Sequence, residues 1–397
     1  LVVLLMVAEI CLQLHAIAET LPHNRLLQVL GHHQSHAAWT GASLHDLIHP
    51  CFTFLVGVAL PYSLVKRLSQ GQTVREALRH AARRAFVLIC LGIFLRSVGH
   101  EHTVFIFMDT LTLIGLGYLP LFLIGLAVFH DSARPSSRPT GAAWQRFRSG
   151  LPWITLGVIL VGYWAAFVLY PLPAVDFDYA AVGVDDDWQH HFSGFAAHWN
   201  KNSNLGWAFD RWFLDLFPRS EPFAYHPGGY STLNFVPTLG TMLLGLIAGR
   251  WLLENRDWQM TIKQLLVTSA ACFLLALALD QAGVCPIVKR LWTPSWVLFS
   301  GGWSLLFLAA FHLTVDIAGW RTWTFPLQVL GMNAMAAYCL ADLIPPFILS
   351  SLQTHLGQNA FAIFGTAYEP LLSGLAVLAV FWLILFWMHR RRIFLKI

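Results

Sequence analysis

Charge is what this sequence has least of. Asp, Glu, Lys and Arg make up 12% of its 397 residues, against 56% hydrophobic ones, where a soluble domain carries about 25% charged residues. That balance excludes a water-soluble globular chain and a disordered one. Short alternating segments of the kind that build a transmembrane β-barrel are also missing. Cysteine is scarce: six residues, at 11, 51, 90, 272, 285 and 339, scattered and without a CxxC. Neither a disulfide framework nor a Cys-based metal centre follows from such spacing, and the cysteines read as small core residues. The absence of a Walker motif, and of GxGxxG at a strand–helix junction, argues against nucleotide-driven pumping and a Rossmann cofactor. Nothing points to nucleic acid. No internal repeat is apparent, which disfavours a transporter built from repeats.

What the sequence does have is apolar runs of bilayer-spanning length, about 20 residues each. They predict an all-α, polytopic transmembrane helical bundle of about ten spans, over 1–17, 46–65, 85–98, 105–129, 151–170, 231–249, 264–283, 295–315, 327–349 and 370–388. The 17 Trp suit such a chain, since aromatic rings favour membrane interfaces. The net charge is only +4, but its distribution is uneven. Segments 66–84, 130–150 (with Arg134, Arg138, Arg146 and Arg148), 250–263 and 389–397 hold most of the Lys and Arg. Ten spans put all four on one side, which the positive-inside rule makes cytoplasmic, with the C-terminus. A His-rich loop, 18–44, and an acidic polar loop, 171–230, then face outward from a single domain. The chain opens on Leu1 inside an apolar run, which predicts a longer natural N-terminus.

The densest chemistry lies at 32–54, HHQSHAAWTGASLHDLIHPCFTF. Titratable groups beside a hydrocarbon-length segment are costly, roughly 2.5–3.5 kcal/mol at mid-helix, and mark chemistry or transport. An imidazole can take a proton from an amine or accept an acyl group itself, and a nearby carboxylate fixes its tautomer. The pairs His32/His36 and His45/His49 have i,i+4 spacing, so with Asp46 they leave a zinc site open. There is no HExxH and no accompanying Cys pair, and no metal is expected. Glu9 lies inside the first apolar run, where an acid must be paired, protonated or facing a cavity. Asp109 is a weaker case at the start of the fourth. Lys289 and Arg290 break the positive-inside pattern and suit pairing with Asp46, Glu9 or an anionic substrate group. Asn333 lies within the ninth span, where an amide seeks a partner. Lys66, Arg67, Arg79, Arg83 and Arg84 form a basic patch fitted to lipid headgroups or to cofactor phosphates.

Residues 36–63, HAAWTGASLHDLIHPCFTFLVGVALPYS, resemble the signature of the heparan-α-glucosaminide N-acetyltransferase family, with His36, Trp39, Gly41, Asp46, Leu47, Pro50, Phe52, Phe54 and Gly57 in register. Three further blocks resemble it in order: RRAFVLICLGIFL at 83–95, GGYSTLNFVPTLGTMLLGLIAG at 228–249, and KRLWTPSWVLFSGG with DIAGWRTWTFPLQVLGMNAMAAY within 289–338. Two places depart from the pattern. The family's Gly-Val-Leu-Gln-Arg reads Asp109-Thr110-Leu111-Thr112-Leu113, and the first span offers Glu9 where the family has Asn.

The resemblance implies a membrane acyltransferase, here of a bacterial inner membrane. Acetyl-CoA would approach from the cytoplasm, and an amino-sugar or glycan acceptor from outside. His36 falls on the family's active-site histidine, as nucleophile or general base, with Asp46 or Glu9 orienting it. Trp39, Lys289, Trp292 and Asn333 would serve the substrate, Lys289 and Asn333 by stabilising the thioester oxyanion or binding a sugar. Arg83 and Arg84 would hold the CoA phosphates. Oligomeric state is open, a homodimer included. The rival reading is a proton-coupled secondary transporter relaying protons through Glu9, Asp46 and the histidines. A bis-His cytochrome would have to use His312, the main histidine deep in a span.

Overall fold

The computed structural model describes every residue except 13, 22, 130–141, 255–256 and 396–397; Arg134 and Arg138 thus lie outside the described residues. The described chain is helical, with no strand and a single isolated β-bridge between Thr40 and Val288. The helices in order are α1 (Val2–Leu12), α2 (Leu14–Thr20), α3 (Arg25–His33), α4 (Ile48–Ser69), α5 (Val74–Ser97), α6 (Thr110–Phe129), α7 (Ala142–Leu169) and α8 (Leu205–Phe213). They continue as α9 (Phe235–Glu254), α10 (Trp258–Gln281), α11 (Pro294–Phe311), α12 (Phe325–Met332), α13 (Ala334–Leu343), α14 (Pro345–Leu356) and α15 (Glu369–Arg390).

Among the described residues seven helical stretches are long and apolar enough to cross a membrane, or nine if the bent pairs α1–α2 and α13–α14 each make one span. The chain is a multi-pass helical membrane protein. The expected third span is present as α5, but charged residues fill its first half, so it falls outside that set. The expected ninth span, 327–349, is not one rod. It breaks at Asn333 and bends by 62° where Pro345 starts α14. Proline lacks the N–H and disfavours helical backbone in the residue before it.

The chain divides into two compact units. The smaller comprises Leu1–Ala37, Ala42–Ile48 and His312–Ile397; the larger comprises Ala38–Gly41 and His49–Phe311.

In the smaller unit α1 packs along α15 so closely that a Cβ on Gly374 would collide with the carbonyl of Cys11. The expected polar loop 18–44 contains a helix. Asn24 caps α3 by accepting from the N–H of Leu27, and Leu27 and Gly31 face inward. α3 is therefore amphipathic, with its inward face against α2. Gln34 ties the break between α1 and α2: its Oε1 accepts from Leu14 N (2.8 Å) and its Nε2 donates to Ala8 O (3.4 Å).

The larger unit is built on α9, the most buried of its spans. Gly245 and Gly249, one turn apart, let α9 meet α4 backbone to backbone. A Cβ on Gly245 would strike Phe54 O, one on Gly249 Val58 O, and one on Gly57 of α4 Met242 O. Small residues four apart are how membrane helices gain close packing without a hydrophobic driving force. Basic residues of the charged segments close helix ends. Arg148 donates to Ala127 O (2.6 Å) and Val128 O (2.9 Å) at the end of α6. Residues 171–230 are folded rather than loose, because buried amides satisfy the backbone. Asn200 holds Phe192, Asn202 donates to Val182 O and His226 O, and Asn204 caps α8 through Trp207 N.

Candidate active site

His36 and Asp46 come together in the smaller unit. His36 Nδ1 lies 2.8 Å from Asp46 Oδ1, and the imidazole side chain is 40% exposed while the carboxylate is 1% exposed. Asp46 sits in the one-turn 3₁₀ helix His45–Leu47 that leads into α4. Its other oxygen accepts from the backbone N–H of Ala37 (3.1 Å) and of Ser43 (3.0 Å). Ser43 Oγ accepts from Asp46 N and donates to Ser35 O. Ser43 and Asp46 therefore form a capping box, each side chain meeting the other's N–H. Ser-x-x-Asp before an apolar run is the local sequence signal for this box. A buried carboxylate with two backbone donors is held rigidly. It accepts a hydrogen bond from Nδ1–H of His36, so the neutral tautomer keeps its lone pair on Nε2. That is the arrangement of a general base or nucleophile with its orienting acid.

The other histidines divide. His45 packs its ring 4.2 Å from that of His36. His33 Nδ1 accepts from Leu44 N (3.3 Å). His32 lies in the last turn of α3, which ends at His33, while His36 lies beyond it, so the i,i+4 pairing on one helix face is not formed. Among the described residues no three His, Cys, Asp or Glu side chains are grouped as metal ligands. Glu9 is half-buried on α1, next to the Ala8 carbonyl that Gln34 holds. Asn333 is fully buried at the α12–α13 break; its amide donates to Ile393 O (2.8 Å) and accepts from Leu395 N (3.1 Å), binding the chain's tail. His312 pairs with Asp316 (2.9 Å) in a π-helical turn.

The larger unit holds the remaining sequence candidates. Trp39 is 1% exposed in an aromatic cluster with Tyr163, Phe167 and Trp199, and donates its indole N–H to Trp199 O (3.1 Å). It is a core residue, with no open ring face. Lys289 is buried in the turn Lys289–Leu291. Trp292, fully buried, has φ 48°, a left-handed conformation that costs a bulky residue about 1–3 kcal/mol. It is held there by its Nε1 donating to Thr241 Oγ1 (3.1 Å) and by the His49 ring 4.6 Å away. Arg84 lies over the Tyr118 ring, 4.7 Å from its centroid, and donates to its hydroxyl; its buried Nε has no partner among the described residues. Arg83 is exposed beside it. Asp109 is an N-cap: its Oδ1 accepts from Leu111 N and Thr112 N at the start of α6.

No protein-family model matches the chain. It is 24% identical over 389 residues to the human protein "Heparan-alpha-glucosaminide N-acetyltransferase", covering 91% of this chain. It is likewise 24% identical over 399 residues to the mouse protein of that name. The chain spans 55% and 56% of the length of these two relatives. With the similarity running through nine-tenths of its residues, the chain is a distant relative of the heparan-alpha-glucosaminide N-acetyltransferases.

Proposed function

We propose that this chain is a membrane-embedded acyltransferase that moves an acetyl group from acetyl-CoA to the amine of an amino sugar or glycan. The observation that carries the reading is the His36–Asp46 pair: an exposed imidazole whose Nδ1 is held by a buried, fully engaged carboxylate. The distant relationship to two N-acetyltransferases supports the same chemistry.

In the direct route the acceptor amine attacks the thioester carbonyl, a C–N bond forms and the C–S bond breaks. His36 Nε2 takes the amine proton and delivers it to the departing thiolate, so CoA leaves as the thiol. In the two-step route Nε2 attacks the thioester carbonyl, an N–C bond forms as the C–S bond breaks and CoA leaves as the thiolate; the amine then takes the acyl group as the N–acyl bond breaks, and its proton passes by way of the freed Nε2 to the thiolate. Asp46 serves both routes, fixing the tautomer and stabilising the imidazolium. Glu9 shares the smaller unit with this pair and is the second acid suited to orienting it. Lys289 and Asn333 are proposed for the oxyanion or sugar only as their partners allow, and Asn333 is already committed to the tail. Arg83 is the better phosphate ligand of the basic pair, because Arg84 is engaged by Tyr118. The positive-inside distribution supports a cytoplasmic approach for CoA, an outward-facing acceptor and a cytoplasmic C-terminus, and the proposed setting is a bacterial inner membrane.

The test is CoA release and mass-spectrometric detection of N-acetylated product across a panel of amino sugars, with His36→Ala as control. Acetyl-CoA-dependent product supports the proposal. No product with any amine, together with pH-driven solute uptake in proteoliposomes, would replace it with a proton-coupled transporter.

A further inference from the structure

Helix α8 is amphipathic in the reverse of the usual sense. Its acid, Asp210, is fully buried, and both carboxylate oxygens accept from Thr232 N (3.2 and 3.0 Å). Gly206, one turn earlier, is pressed against Ser231, whose hydroxyl donates to Gly206 O (3.1 Å). What the helix turns outward is apolar. Trp212 is 61% exposed, and Leu216, in the 3₁₀ turn Leu214–Leu216 that continues the helix, is 63% exposed. A helix facing water would bury its aromatic rings and expose its acid.

The rings beside Trp212 form a chain. Phe209 stacks on Phe213 (5.2 Å), Phe213 meets Phe217 (5.4 Å), and Phe217 stacks on Phe105 (5.2 Å). Phe107 packs on both Phe213 (5.6 Å) and Phe217 (5.0 Å). Phe105 and Phe107 lie just before α6, and Thr232 opens the turn Thr232–Asn234 that leads into α9. Both α6 and α9 are among the stretches able to cross a membrane. α8 is thus tied to the first residues of two spans, at the level where spans leave the hydrocarbon. Aromatic rings concentrate at that level, and a helix with an outward apolar face lies in its plane.

Two cations border this face. Arg211 is exposed, lies over the Trp207 ring (5.0 Å), and among the described residues forms no ion pair. Arg219 lines an open cavity of about 500 Å³ with His102, Thr103, Phe105, Pro218 and Ser220. Its guanidinium is held in place by Leu214 O (3.3 Å from Nη1), by the Phe223 ring (5.2 Å) and by Asp215 Oδ1, 4.0 Å from Nε. Asp215 Oδ1 in turn accepts from Phe223 N (2.7 Å). The cavity therefore sets a fixed guanidinium and two hydroxyls beside Phe105, the last ring of the chain. Polar donors suited to a phosphate adjoin an apolar surface suited to acyl chains.

We propose that α8 and the turn after it rest in the bilayer interface and bind a phospholipid there. Its phosphate sits on Arg219 in the cavity, its acyl chains run along Phe217, Leu216 and Trp212, and Arg211 faces neighbouring headgroups. All these residues belong to the larger unit, and the surface holds whether or not the acyltransferase reading does.

The test uses the full purified chain labelled with 5-fluorotryptophan. The Trp212 and Trp199 19F signals are assigned by their loss in Trp212→Phe and Trp199→Phe. In phospholipid nanodiscs, a lipid carrying a nitroxide near its glycerol should broaden Trp212 well beyond the core residue Trp199, and a water-soluble gadolinium chelate should broaden it little. Broadening by the chelate and not by the lipid marks a water-facing helix; shielding from both marks a second copy of this chain on the face. Either result overturns the proposal. The headgroup seat is read in detergent. Dihexanoyl-phosphatidylglycerol should shift the Trp212 signal saturably, with dihexanoylglycerol and inorganic phosphate each binding more weakly by about tenfold. The phospholipid Kd should weaken about tenfold in Arg219→Gln, as expected for loss of a charged donor. Ser220→Phe, at an exposed position, fills the cavity and should weaken it likewise, which keeps the test open if Arg219→Gln fails to fold. Equal Kd in wild type and both variants, or equal binding of phospholipid and diacylglycerol, overturns the phosphate seat. Neither readout uses CoA release, so failure here and failure of the acyltransferase reading are distinguished.

Discussion

Replacing Asp46 by Asn separates positioning from folding. Both backbone donors, Ala37 N and Ser43 N, point to the same carboxylate oxygen, Oδ2, while His36 Nδ1 meets the other. An amide can keep the first contact with its carbonyl and must then turn its NH₂ toward the imidazole. Two donors cannot face each other, so His36 has to shift its proton to Nε2, and the reacting nitrogen loses its lone pair. The imidazolium also loses a charge-assisted hydrogen bond, about 1.5–3 kcal/mol. Together these predict a fall in kcat of roughly 10²–10⁴-fold, the range general acid–base catalysis contributes, with the upper end matching the loss when the orienting Asp of a catalytic triad becomes Asn. The melting temperature should stay near wild type, because the backbone donors remain satisfied. Asp46→Ala differs: it strands two N–H groups at about 1–3 kcal/mol each, so it should lose stability as well. The assay is initial-rate CoA release from acetyl-CoA with an amino sugar, alongside a thermal melt of each variant. Asp46→Asn turning over within fivefold of wild type at equal stability would refute the positioning argument.

Four other outcomes follow from the geometry. Gly57→Ala or Gly245→Ala drives a methyl into the backbone of the facing helix, so each should lose well over 1 kcal/mol or fail to insert; Gly157→Ala on α7, with open space beside it, should be neutral or stabilising in the same melt. Burial raises Asp210 to about 6, against 3.8 for the free group, despite its contacts with Thr232. Its folded form therefore holds the proton more tightly: no penalty exists below pH ~4, it grows between pH ~4 and ~6, and it is complete above, at roughly 3 kcal/mol. A pH series of melts should show wild type losing that stability on going from pH 4 to 7 and Asp210→Asn lacking that component. Asn333→Ala should leave Leu395 N and Ile393 O without their amide partner, so limited proteolysis should clip the tail faster. Arg83→Gln should raise KM for acetyl-CoA several-fold with kcat little changed, whereas a change confined to kcat would remove Arg83 from phosphate binding.

The spans were legible because length and apolar composition suffice for them. Their breaks were not. Asn333 reads as a polar residue inside a span, and only the tail folding back onto it shows why the helix stops there. The register of His36 and Asp46 was visible as a family pattern, but the reason for it, the capping box with Ser43, depends on a turn that brings Ser35, Ala37 and Ser43 around one carboxylate. Trp39, prominent in the motif, is also packed as a core residue, and its indole partner is 160 positions away, which local spacing does not encode.

In the proposed reaction, acetyl transfer passes through His36. The direct measurement compares wild type and His36→Ala, both verified as folded by thermal melt, for transfer of labelled acetyl from acetyl-CoA to glucosamine. Wild type should form product that requires both substrates, and His36→Ala should lose at least about 10²-fold, the lower range for removing a general base. Transfer by His36→Ala within tenfold of wild type would contradict it.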